Sequence, residues 1–262
     1  MRSRTSPVLK HALALIAAII LASVTALAQS EHQPVTPDEH FELANLLAER
    51  GDYARAAAEF RKAIDAAGGN HPEAYNSLGM MMAVMGDIPS AIRAFKTAIE
   101  QNGRYPEAHY NLGLALSVQG DDAGAERELL KAIELAPGNF PAAHNNLGIL
   151  HAKKGEMSHA IMEFKIALEQ ADGEYADAHY NLGIALFEEG RLLPAAAEFR
   201  DAIAQSHIFP EAHYNLAVVL AQLGRNDEAA HEFEQYLKEA ENPEDGEEVR
   251  VLLAILRNGS AK

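Results

Sequence analysis

The 262-residue chain contains no cysteine. It therefore builds no disulfide, although an exported protein would be free to use one. It also lacks the cysteine that a lipoprotein anchor requires behind a leader. Cations are scarce, 22 Lys and Arg against 38 Asp and Glu, for a formal charge of −16. That balance argues against nucleic acid, whose phosphates need Lys and Arg to neutralise them. No HExxH, Gly-rich phosphate loop or nucleophile–base pair occurs. No catalytic residue, cofactor or metal-ligand set is assigned, and the expectation is a protein without enzymatic activity.

The apolar stretch Ala12 to Ala22 is too short for a membrane span, which needs about 20 residues. Arg2, Arg4 and Lys10 precede it and Ala26-Leu27-Ala28 follows. A basic start, a short apolar core and a small-x-small site together read as a secretory signal peptide. Residues 1–28 are assigned to it, with cleavage after Ala28, and 29–36 to a short linker. The expectation is an exported protein, periplasmic or secreted, touching a membrane only through an uncleaved leader. Losing the leader removes three cations and no acid, so the remainder is more acidic still.

What the chain has in abundance is repetition. "PEAHYNLGLALSVQGD" at Pro106 returns in close form at Ala176 and Pro210. Aligned glycines stand at Gly51, Gly86, Gly120, Gly155, Gly190 and Gly224. A Leu column (Leu43, Leu78, Leu112, Leu147, Leu182, Leu216) precedes them. An Ala column (Ala56, Ala91, Ala125, Ala160, Ala195, Ala229) and a Phe column (Phe60, Phe95, Leu129, Phe164, Phe199, Phe233) follow. Before each Gly, apolar residues recur at helical spacing, as do the Ala and Phe columns after it. The Gly closes the first helix, and Pro72, Pro106, Pro141 and Pro210 open the next pair. Thr36 and Glu39 form a capping box ahead of the first.

Leu, Gly, Gly, Ala, Phe and Ala in a 34-residue helix–turn–helix frame resembles the tetratricopeptide repeat. The resemblance implies an all-α fold, a right-handed α-solenoid whose first helices line a concave face. Six repeats occupy 37–241, starting near 37, 72, 106, 141, 176 and 210. A break at 242–246, a capping helix at 247–257 and a tail at 258–262 follow. Val249, Leu252, Leu253 and Leu256 are read as the buried stripe of that cap, with Tyr236 beneath it. The large aromatic usual at the fourth position is His40, Tyr75, His109, His144, His179 and His213, and His151 replaces an apolar residue at the eleventh.

The His column invites comparison with a metal site. Adjacent repeats lie about 8–10 Å apart, while zinc holds each ligand at about 2.0–2.3 Å. One ion cannot join equivalent histidines, so the column is read as packing between helices. Glu59, Glu163 and Glu198 are read as a solvated helix face. The better functional candidates are Asn111, Asn146, Asn181 and Asn215. On the concave face, primary amides both donate and accept, and could hold a peptide backbone whatever its side chains. They are similar to the asparagine ladder in the repeat superhelix of O-GlcNAc transferase, though no transferase domain follows. Beside them stand Tyr110, Asn145, Tyr180 and Tyr214, over an apolar floor of Leu114, Ile149, Ile184 and Val218. No Lys or Arg pair offers a carboxylate clamp.

Two functional readings follow. In the first, the chain is a cell-envelope scaffold for protein–protein interaction that holds an extended, neutral-to-basic peptide or protein segment in this groove. In the second it is a structural or self-assembling solenoid whose outer and end faces matter more. Mass rising with concentration on a sizing column would separate the two.

Overall fold

The computed structural model describes residues 36–136, 138–206, 208–240 and 246–259. The leader, the linker up to residue 35, the break at 241–245 and the last three residues lie outside them. The described residues hold thirteen α-helices and no strand. They fall into two units, Met1–Asn70 and His71–Lys262.

The first unit contains one hairpin, α1 (Pro37–Glu49) and α2 (Tyr53–Ala66). Thr36 caps α1 as its sequence requires. Its Oγ1 accepts from the Glu39 N–H at 3.2 Å, and the Glu39 carboxylate accepts from the Thr36 N–H at 2.8 Å. The Thr36 N–H and hydroxyl, both donating to that carboxylate, hold the Glu39 pKa below its ordinary value. Ala44, Ala56, Ala57, Phe60 and Ala63 are buried, and the Phe41 and Phe60 rings meet edge to face across the hairpin, centroids 5.4 Å apart. Leu43, buried in every later copy of its column, is exposed here.

The second unit repeats the hairpin five times and adds a last helix. Its elements are α3 (Pro72–Val84), α4 (Ile88–Gln101), α5 (Pro106–Gln119), α6 (Asp122–Leu135), α7 (Pro141–Lys153), α8 (Met157–Gln170), α9 (Ala176–Glu188), α10 (Leu192–Gln205), α11 (Pro210–Gln222), α12 (Asn226–Glu239) and α13 (Gly246–Gly259). Each helix packs on the next, and the first helices also touch one another: α3 with α5, α5 with α7, α7 with α9, α9 with α11. They therefore share one wall.

The repeated letters explain the spacing. Gly120 ends α5 with φ at 90°, a left-handed conformation in which a side chain would be strained. Within the hairpins, Gly148 and Gly183 lie under the rings of Phe164 and Phe199. A Cβ added there would sit 2.6 Å and 2.7 Å from ring carbons. The missing side chains let first and second helices close on a ring that is almost fully buried.

The last helix runs Gly246–Gly259, longer than the 247–257 expected from sequence. Val249 and Leu253 are buried on Phe233, Ala217 and Ala230, with Tyr236 and Leu256 packed alongside. Leu252 is 40% exposed, so the buried stripe steps by four and three residues from Val249 and leaves Leu252 out.

Candidate functional site

The wall of first helices carries a chain of polar rungs. Asn111 donates its Nδ2 to Asn76 Oδ1, Asn146 to the Tyr110 hydroxyl, Asn181 to Asn145 Oδ1 and Asn215 to the Tyr180 hydroxyl, each at 3.0 Å. Every rung ties a repeat to the one before it. Asn146 also donates to the Ala142 carbonyl of its own helix at 2.8 Å. The amides thus join repeats, a role their column does not reveal. Their Oδ1 atoms accept from no described residue, which leaves one acceptor per rung for another chain.

The residue accepting each rung alternates, and so does its neighbour at the next helix start. Asn76 lies beside the Tyr105 hydroxyl and Asn145 beside that of Tyr175, each amide opposing the burial that raises the phenol pKa. Tyr110 lies against Phe140 and Tyr180 against Phe209, ring centroids 5.0 Å apart in both cases. A short amide is met by a phenol, and a phenol by a plain ring. Each junction between these repeats therefore holds one hydroxyl. Burial raises the pKa of Tyr105, Tyr110, Tyr175 and Tyr180, so their hydroxyls stay neutral. Tyr105, Phe140, Tyr175 and Phe209 were missed from sequence, although the alternation was visible one period apart.

The floor is uneven. A cavity of about 620 Å³ opens between α3, α4 and α5, lined by Met80, Val84, Leu114 and Val118 with Asn111 at its side. Met80 is the repeat-two member of the Leu114 column and could have been found by stepping back one period. Ile149 is 41% exposed on the same wall. Ile184 and Tyr180 are half-buried against the core around Leu182 and Phe199. Val218 and Tyr214 are a different case. Both pack with Val249, Leu253 and Tyr236 under the capping helix, so the cap occupies the end of the wall where open groove was expected. Glu73, Glu107, Asp177 and Glu211 are exposed in the first helical turns, where the helix dipole favours them.

The His column meets a Glu column nineteen residues on. His40 and Glu59, His109 and Glu128, His144 and Glu163, His179 and Glu198, and His213 and Glu232 face each other through Nδ1 and Oε2 at 2.6–2.8 Å. These carboxylates are not the solvated face that the sequence suggested: Glu163 is 9% exposed. Repeat two replaces both partners together, with Tyr75 and Ala94. Each pair bonds the two helices of one hairpin. Nε2 of His109 is buried with no partner among the described residues.

Comparison with known proteins accords with this arrangement. No curated protein matches the chain. Among solved structures, it is similar to PilW, described as a widely conserved type IV pilus biogenesis factor. There the TM-score is 0.73 at 19% identity, over 81% of this chain and 97% of that one. PilF of Pseudomonas aeruginosa gives 0.72 at 17%, over 82% and 96%. A chain of the APC/C hetero-tetramer Cut9–Hcn1 gives 0.73 at 19%, over 86% and 44%, so this chain spans under half of its length. At these identities the likeness is one of fold. Family models described as tetratricopeptide repeat match residues 21–81, 83–140 and 145–207, and another of the same description matches 186–256. With helix hairpins at the matching period, the chain belongs to the tetratricopeptide repeat family.

Proposed function

We propose that this protein is an interaction scaffold of the cell envelope that holds an extended segment of a partner along the wall of its first helices. The observation carrying this reading is the row of rungs with unused amide oxygens, beside the apolar cavity at Met80, Val84, Leu114 and Val118. Amide oxygens spaced by one repeat accept backbone N–H groups without regard to side chain. The cavity supplies an anchor point for an apolar residue. Acids at the helix starts favour a neutral-to-basic segment and speed its encounter.

The leader read in residues 1–28 supports the envelope location, and PilW is a pilus biogenesis factor of similar fold. The test is a peptide selection against the purified chain, followed by titration of selected peptides into Asn146→Ala/Asn181→Ala and Leu114→Asp variants. Both should weaken capture by about tenfold or more while helical circular dichroism persists. Equal affinity in wild type and both variants would refute the groove.

A further inference from the structure

Three residues of repeat four meet in space, and one of them breaks a column that every sibling keeps apolar. Its eleventh position is His151, where the other repeats bury Leu47, Met82, Leu116, Leu186 and Leu220. Its helix-capping position is Glu156. Asp52, Asp87 and Asp121 in that column cap their helices through the side chain, whereas Glu156 makes no such bond. Its carboxylate turns back instead to His151 Nδ1 at 2.7 Å. Three residues on stands His159, its ring centroid 5.4 Å from that of His151. One ligand atom from each of the three lies within 4.8 Å of the other two.

We propose that His151, Glu156 and His159 form a binding site for a divalent transition ion of the zinc class, clasping the turn between α7 and α8. Two imidazoles and a carboxylate are a ligand set such ions accept, with water completing the sphere. Ligand atoms about 2.0–2.2 Å from zinc stand about 3.3–3.6 Å apart in a tetrahedron. Reaching that spacing requires the 2.7 Å contact between His151 Nδ1 and Glu156 to open and the wider separations, at most 4.8 Å, to close. Glu156 and His159 are exposed and have room to rotate. The nearby lysines make their ion pairs elsewhere, Lys153 with Asp122 and Lys154 with Glu126, both on α6, although, after the His151 hydrogen bond, the Lys154 charge still helps hold the Glu156 pKa below its ordinary value. A second triad of this kind among the described residues, His179 with Glu198 and Asp201, differs in one respect. Both His179 ring nitrogens are already engaged, by Glu198 and by the Gly173 carbonyl. The spacing between repeats that keeps one ion from joining the His column does not apply here, since this site lies inside one repeat.

The test uses the purified full chain, stripped with a chelator and titrated with zinc chloride in a calorimeter. One equivalent should bind and raise the melting temperature. His159→Ala, at the surface, and Glu156→Gln should each weaken that equivalent by about tenfold or more. His151→Leu restores the residue that four sibling repeats carry. It should abolish the equivalent while keeping the zinc-free melting temperature at or above that of wild type. Absence of a saturable zinc equivalent, an equivalent unchanged in His159→Ala and His151→Leu, or equal binding of magnesium would each overturn the proposal. Magnesium binding would mean that carboxylates alone are responsible.

Discussion

The His–Glu pairs make a prediction that the chain itself supplies the means to test. His144 and Glu163 are the most enclosed pair, 8% and 9% exposed, with Nδ1 and Oε2 2.7 Å apart. Glu163→Ala leaves the imidazole N–H without its acceptor at a buried site. His144→Tyr leaves the carboxylate facing a ring it has no room to meet well. An unsatisfied buried polar group costs about 1–3 kcal/mol. In a chain of this size that lowers the melting temperature by about 2–12 °C. The double variant, His144→Tyr with Glu163→Ala, installs the Tyr75 and Ala94 combination of repeat two, where Ala94 is buried. It should recover most of the loss, giving a coupling of about 1–3 kcal/mol in a double-mutant cycle. Thermal unfolding followed by circular dichroism at 222 nm provides the four stabilities. If the double variant were as unstable as the two single losses added, the columns would not exchange as a unit and the pairing argument would fail.

Two more outcomes follow from the ends of the array. Thr36→Ala removes the capping box of α1 and should cost about 1 kcal/mol, read as faster amide exchange in the first turn of α1 with α3 to α12 unaffected; unchanged exchange there would contradict the cap. Val249→Asp puts a carboxylate into the contact with Phe233 and Leu253, and loss of an apolar burial to an unpaired charge should cost about 3–5 kcal/mol. It should release α13 to rapid exchange and early proteolysis while α7 to α10 remain protected. Unaltered protection of α13 would show that Val249 is not what holds it.

The helices were legible because their signals are local. A run such as Leu112, Ala115, Leu116 marks one face, a turn glycine ends it, and proline starts the next pair. Gly148 beneath Phe164 was half legible. The Phe column announced a ring between helices, but the closeness that forbids a Cβ is a property of two packed backbones. Tyr75 standing alone among histidines was a sign that its partner had changed as well. Reading it required knowing that this column meets the one nineteen residues on, as the His–Glu pairs of the other repeats do, and the crossing of two helices decides that.

The sequence by itself determined the unit, its period and its number, since these rest on interactions within a few residues or within one hairpin. It also placed Asn111, Asn146, Asn181 and Asn215 on a common helix face. The tertiary structure alone decided what those amides touch, because the offset between one repeat and the next brings Asn181 to Asn145 and Asn215 to Tyr180. The tertiary structure also separated residues the period treats as equals. Ile149 stands open while Val218 lies under the capping helix. A column records what each unit carries, and only the stacking of units determines which copies are covered.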